Sequence, residues 1–162
     1  MTRNRSSTLA LLVALTAVLA GGCATKNIPN TRVEDTAENH EIVDFMETYR
    51  KAVESRDTGS LLAMTSEFYF DDMGTPAGDD DVDYDALKLG LARLRGEVLA
   101  ARYQISYRGV TYIANGNVLV DLLYTGWFKV NTFDGPEWRR RLEPHRVVLA
   151  RQDSKLKIIS GM

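Results

Sequence analysis

The stretch EIVDFMETYRKAVESRD, residues 41–57, decides how the rest of the chain is read. Its apolar side chains fall at Ile42, Phe45, Met46, Tyr49, Ala52 and Val53, spaced i, i+3, i+4, i+7, i+10 and i+11. That spacing keeps all six on one stripe of a helix, with polar residues on the remaining surface. Asp35 or Thr36 can cap the start, and Glu38 lies three residues after Asp35, so the spacing predicts a helix over 37–55. A helix with one apolar stripe needs an apolar surface to lie on, and the sequence downstream supplies it.

RDTGS at 56–60 breaks the helix, and Leu61, Leu62 and Met64 read as a short second one. In EFYFDD, residues 67–72, Phe68 and Phe70 alternate against Tyr69 as a short strand. A loop with Gly74, Pro76 and Gly78 leads to a third helix. Asp83 is placed to cap it, and Leu87, Leu91, Leu94 and Val98 form its inner face. After Ala101 the period falls to two: Tyr103, Ile105 and Tyr107 alternate with Gln104, Ser106 and Arg108. ANGN at 114–117 signals a hairpin turn. Strands over 118–130, about 138–151 and 155–160 then complete an antiparallel meander, with Asp153-Ser154 at the last turn. No internal repeat and no second domain boundary is visible. The fold class is α+β: three N-terminal helices packed on one face of a curved, mostly antiparallel sheet.

This order of elements resembles the cone fold shared by nuclear transport factor 2, ketosteroid isomerases and polyketide cyclases of the SnoaL type. The likeness covers about 37–162. It is carried by EIVDFMETYRKAVESRD, SLLAM at 60–64 and the closing strand KLKIISGM at 155–162. It implies a cone whose interior is the site. Family enzymes of the isomerase type use a tyrosine on the first helix and an acid near the short strand. Here Tyr49, Asp71 and Asp72 occupy those places. The fold hosts enzymes, binders and scaffolds alike, so it does not by itself assign a role.

The N-terminus carries a different message. Arg3 and Arg5 precede Leu9–Ala20, a run broken only by Thr16, and Ala20-Gly21-Gly22-Cys23 follows. Positive start, short apolar core and small residues make a secretory signal. The core is too short to span a bilayer, which takes about 20 residues. The end resembles the lipobox of bacterial lipoproteins, in which cleavage before the cysteine is preceded by joining diacylglycerol to its thiol. In that family the new amino group is usually acylated as well. Cys23 is the chain's single cysteine, so an internal disulfide is excluded. The expected organisation is a signal over 1–22, a lipidated Cys23 with a flexible tether over 23–36, and one domain over 37–162. Ala24, where an aspartate would signal inner-membrane retention, points to the outer membrane with the domain facing the periplasm. Losing Arg3 and Arg5 moves the formal charge from −2 to −4. An acidic chain without a basic stripe does not suit nucleic acid.

Alternation through the long central strand places Val118, Val120, Leu122, Tyr124, Phe128 and Val130 on one face. Leu119, Asp121, Leu123, Thr125 and Trp127 share the other. The second face is also largely apolar and no spare helix remains to cover it, so a homodimer through the sheet is expected. Tyr49, Tyr107, Tyr124 and Phe128 are expected to line an apolar pocket inside the cone.

Catalytic candidates are Tyr49, Asp72 and His145, the last paired with Asp121 or Tyr124 if it points inward. Each has a plain structural alternative as core, turn or surface residue. His40 and His145 make no H-x-x-H or H-E-x-x-H spacing, so no metal and no cofactor is expected. DDMGTPAGDDDVDYD at 71–85 holds seven aspartates. Counted from Asp79, however, Tyr84 and Gly90 stand where an EF-hand needs glycine and glutamate, so the loop reads as a solvated acidic segment. Arg139, Arg140 and Arg141 alternate faces and read as solvated strand residues. The expected function is non-catalytic: an anchored envelope lipoprotein binding a small apolar ligand or an envelope protein. The alternative is a small enzyme doing acid–base chemistry in the cone.

Overall fold

The computed structural model describes residues 26–76 and 78–162; the signal segment and Cys23 lie outside them. Helix α1 spans Ala37–Ser55. Thr36, in extended conformation, caps it by accepting the Asn39 amide at 3.2 Å. Its C-terminus closes on Arg56 in the left-handed region, where Arg56 N–H reaches Val53 O and Asp57 N–H reaches Ala52 O. Asp57 at once caps α2, Thr58–Met64, by accepting the Ser60 amide at 3.0 Å. Two helices thus meet at one sharp corner.

The short strand is narrower than EFYFDD suggested. Strand β1 is Phe70–Asp71 and pairs with β2, Val82–Asp83. Tyr69 turns inward and is buried, while Phe68 and Phe70 face out. Asp83 caps α3, Tyr84–Glu97, through the Ala86 amide at 2.8 Å. Leu87, Leu91 and Val98 are buried as expected, and Leu94 stays partly open to solvent.

Four long strands follow as an antiparallel meander: β3 Val98–Tyr112, β4 Val118–Thr132, β5 Gly135–Gln152 and β6 Lys155–Ser160. The turn after β3 runs through Asn115 and Gly116, with positive φ at Gly116, and that before β6 through Asp153 and Ser154, each with positive φ. The inner face carries Tyr103, Tyr107, Val120, Leu122, Val147, Leu149 and Ile158, all buried beneath α1 and α2. Met46 and Ile42 from α1 are among the most deeply buried side chains. Among the described residues, no helix covers the outer face. Leu119, Leu123 and Trp127 are half-buried, whereas Trp138 and Leu142 are 45% and 49% exposed. Among the described residues, no helix is long and apolar enough to cross a membrane.

The expected tether is corrected in its second half. Asn27 and Glu34 form an antiparallel bridge, and Ile28 N–H meets Val33 O at 2.9 Å. Arg32 N–H then reaches Tyr107 O on β3 at 3.2 Å. Ile28 and Val33 join the core at 7% and 1% exposure. Composition hid this because two apolar residues in a polar stretch show no period, while a tight turn puts both on one side. The folded unit begins before residue 37. Val33→Ala should lower unfolding free energy by about 2 kcal/mol in urea denaturation. A change near zero would mean that this turn does not pack.

Candidate functional site

Beyond the part of the sheet that α1 covers, the cone opens into a cleft of about 890 Å³. Tyr49 and Val53 of α1, Leu61 of α2, and Leu87, Leu91 and Leu94 of α3 form its helical walls. Tyr124, Phe128 and Val130 of β4 and Arg139 and Arg141 of β5 line the sheet side, with Met162 at the closing end. The β4–β5 register explains the sheet side: Tyr124 pairs with Glu143, Gly126 with Arg141, and Phe128 with Arg139. Partners directly opposite share a face, so the arginines point wherever Tyr124 and Phe128 point. Gly126 makes room among them. A Cβ there would come within 2.5 Å of the Phe128 ring and 3.4 Å of the Tyr103 ring.

A series of rings runs across the base of the cleft. Tyr103 meets Tyr49 edge-on with centroids 6.3 Å apart and stacks on Tyr124 at 5.1 Å. Tyr124 meets the His145 ring edge-on at 5.8 Å. The Tyr124 hydroxyl donates to Glu143 Oε2 at 2.9 Å. His145 Nε2 lies 2.9 Å from the Gly161 carbonyl oxygen, which can only accept, so that nitrogen carries the proton. Asp71 Oδ2 accepts Gly161 N–H at 2.7 Å, and the Tyr69 hydroxyl accepts Met162 N–H at 3.0 Å. The C-terminal backbone is therefore held from three side chains. Gly161 itself has φ +80°, and a Cβ on it would run into the Arg146 carbonyl.

Burial shapes the acid–base character of these phenols. It pushes Tyr49 up to about 12, with partial relief from the Tyr103 hydroxyl. Burial also raises Tyr69, Tyr103 and Tyr107, and it raises Tyr124 with help from the Glu143 carboxylate. At neutral pH these groups stay protonated and act as hydrogen-bonding groups.

Of the expected pocket residues, Tyr49, Tyr124 and Phe128 line the cleft. Tyr107 does not. It faces inward, but α1 closes over it and its hydroxyl donates to Glu47 Oε1 at 2.9 Å. Asp72 also departs from expectation: it sits in the exposed turn, accepting Gly74 N–H at 3.0 Å, and its neighbour Asp71 is the acid turned inward. His145 points inward beside Tyr124, whereas Asp121 lies on the outer face with Arg146 Nε 2.7 Å away. Arg139 and Arg141, read as solvated, flank the cleft. Only Arg140 is turned to the outer face, 5.8 Å from the centre of the Trp127 ring. Tyr103, Glu143 and Met162 were not anticipated as part of the site, and no spacing in the sequence singles them out. Among the described residues, no group of three His, Cys, Asp or Glu side chains could hold a metal ion.

No protein-family model matches the chain, and no curated protein sequence matches it significantly. Solved structures do share its architecture. A protein described as a calcium/calmodulin-dependent protein kinase II association domain from Xanthomonas campestris superposes with TM-score 0.61 at 14% identity. That match covers 85% of this chain and 90% of the other. A protein assigned as a scytalone dehydratase from Novosphingobium aromaticivorans gives 0.61 at 13% identity, covering 76% and 80%. ActVI-ORFA from Streptomyces coelicolor gives 0.58 at 15% identity, covering 77% and 95%. The chain thus has the α+β cone fold of nuclear transport factor 2-like proteins. At such identities the likeness establishes the fold and leaves the function to the cleft.

The raised phenol of Tyr49 has a consequence for stability. Its folded value lies above the unfolded 10, so the stability tied to the neutral phenol is complete below pH 10 and is lost between pH 10 and 12. Urea denaturation should therefore show stability falling over that window. Tyr49→Phe should reduce the fall by about 1.4 kcal/mol per pH unit. An identical slope in the variant would mean that Tyr49 is not buried as described.

Proposed function

We propose that this chain is a lipid-anchored protein of a bacterial envelope whose cone domain binds a small, largely apolar molecule without transforming it. One observation carries the reading: the cleft is open and mostly apolar, while the ionisable groups at its base are already engaged. Glu143 takes the Tyr124 hydroxyl, Asp71 takes the Gly161 amide, and His145 meets the Gly161 carbonyl. A general base needs a lone pair directed at substrate, and each of these carboxylates already commits one oxygen to a protein donor. A phenol held near 12 neither takes nor gives a proton readily at neutral pH. Aliphatic walls with a few phenol hydroxyls suit capture of an apolar body in a fixed orientation.

Anchoring rests on the sequence. Cys23 follows a signal-like segment, and two or three acyl chains at about 0.8 kcal/mol per buried methylene hold a protein at a bilayer durably. Ala24 supports the outer membrane, with the domain in the periplasm.

Two measurements test the two halves. Leu91→Trp fills the cleft from α3, and should weaken binding of the apolar fluorophore N-phenylnaphthylamine about tenfold, or about 1.4 kcal/mol. Equal binding by a variant that still melts cooperatively would remove the cleft from consideration. Cys23→Ser should leave an uncleaved precursor that takes up no fatty-acid label. A labelled, correctly cut variant would sink the anchoring.

A further inference from the structure

Resting on that reading of the cleft, we infer that its ligand is an amphipathic monoanion, with a carboxylate head held by Arg139 and Arg141 and an apolar body against Leu87, Leu91 and Phe128. Arginines gather at the cleft: Arg56, Arg139 and Arg141 line it together with Glu97, and Glu137 and Glu143 meet the two β5 arginines from the same strand. Arg139 and Arg141 are two residues apart on β5, which sets their backbones about 6.6 Å apart on one face. Two guanidinium groups at that spacing can converge on one head. Each presents a planar fork that matches a carboxylate.

Their existing partners leave that capacity largely intact. Glu137 meets Arg139 through Nε at 2.7 Å, which leaves the terminal nitrogens to turn elsewhere. Glu143 lies 3.9 Å from Arg141, both groups more than half exposed, so that pair is weak. Arg56 contributes charge across the opening but spends one terminal nitrogen on the Val98 carbonyl at 2.5 Å. The neighbouring Glu143 and Glu97 make a dianionic head less favourable than a single negative charge. Immediately inside the arginines the surface turns apolar, so head and body meet complementary chemistry in the order an amphipath presents them.

The test compares phenylbutyrate with its uncharged counterpart phenylbutanol by titration calorimetry on the full chain in detergent micelles, with empty micelles as the blank. The acid should bind about tenfold more tightly, the scale of a charge-assisted hydrogen bond, and the preference should shrink as salt rises. An Arg139→Gln, Arg141→Gln double variant should bind both compounds with the alcohol's affinity. Arg140→Gln, on the opposite face of the same strand, should keep the preference. Equal binding of acid and alcohol by the wild-type chain overturns the anionic head and leaves the apolar cleft standing. So does a preference that survives the double variant. Binding of neither compound overturns the cleft reading and this inference together.

Discussion

The cleft depends on the unbroken antiparallel pairing of β4 with β5, which runs from Val118 opposite Leu149 to Thr132 opposite Gly135 without a bulge. β3 shifts register near Gly109 and β6 near Leu149 of its partner, but this central pair does not. Side chains in a strand alternate with a strict period of two, so a one-residue slip would exchange every inward group for an outward one. Arg139 and Arg141 would leave the cleft, Arg140 would enter it, and Val147 and Leu149 would face water. The buried half of the ladder opposes such a slip strongly: Val118, Val120, Leu122, Val147 and Leu149 are all buried. Register chosen in the core is thus transmitted along the strands to residues that contribute little core burial themselves. Packing at one end places the functional groups at the other.

A second constraint acts at the closing end. Tyr69 and Asp71 from one segment and His145 from β5, 74 residues after Asp71, hold the backbone of Gly161 and Met162. Meeting buried amides and carbonyls in this way avoids the cost of leaving them without partners. It also draws the polar capacity of the cone's base inward, away from the cleft. The same contacts position Met162, whose side chain forms part of the cleft wall. The apolar character of the cleft and the order of the C-terminal residues therefore share one cause.

How much of this was legible beforehand follows the physics of each signal. The α1 stripe, the Asp83 cap, the Asp153-Ser154 turn and the two faces of β4 were readable because they rest on local period or local turn chemistry. Ile28 and Val33 were not, because their burial depends on a turn that docks against Tyr107 on β3, far away in sequence. Tyr107 shows the limit of alternation: period two says that a residue faces inward, not whether a helix closes above it. Asp71 and Asp72 differ by one residue, and a single step of backbone decided which of them met Gly161. Arg139 and Arg141 could be separated from Arg140 by alternation alone. Assigning them to the cleft required the pairing with Phe128 and Gly126, which is a long-range fact.

The opening itself follows from unequal lengths. Strands β3 and β4 are 15 residues each and β5 is 18. At about 3.3 Å per residue, a 15-residue strand reaches ~50 Å. Helix α1 has 19 residues, but at 1.5 Å each it covers only ~28 Å. No straight helix of this length can roof such strands from end to end. The uncovered part falls where β5 runs from Gly135 to Pro144, a stretch exposed along nearly its whole length. α3 flanks that region with Leu91 and Leu94 without sealing it. A cone built from shorter strands would close into a packed core, whereas these strands extend past their helices. The inward residues beyond the roof, Phe128, Arg139 and Arg141, meet solvent instead of a helix. That geometry leaves them able to meet a ligand.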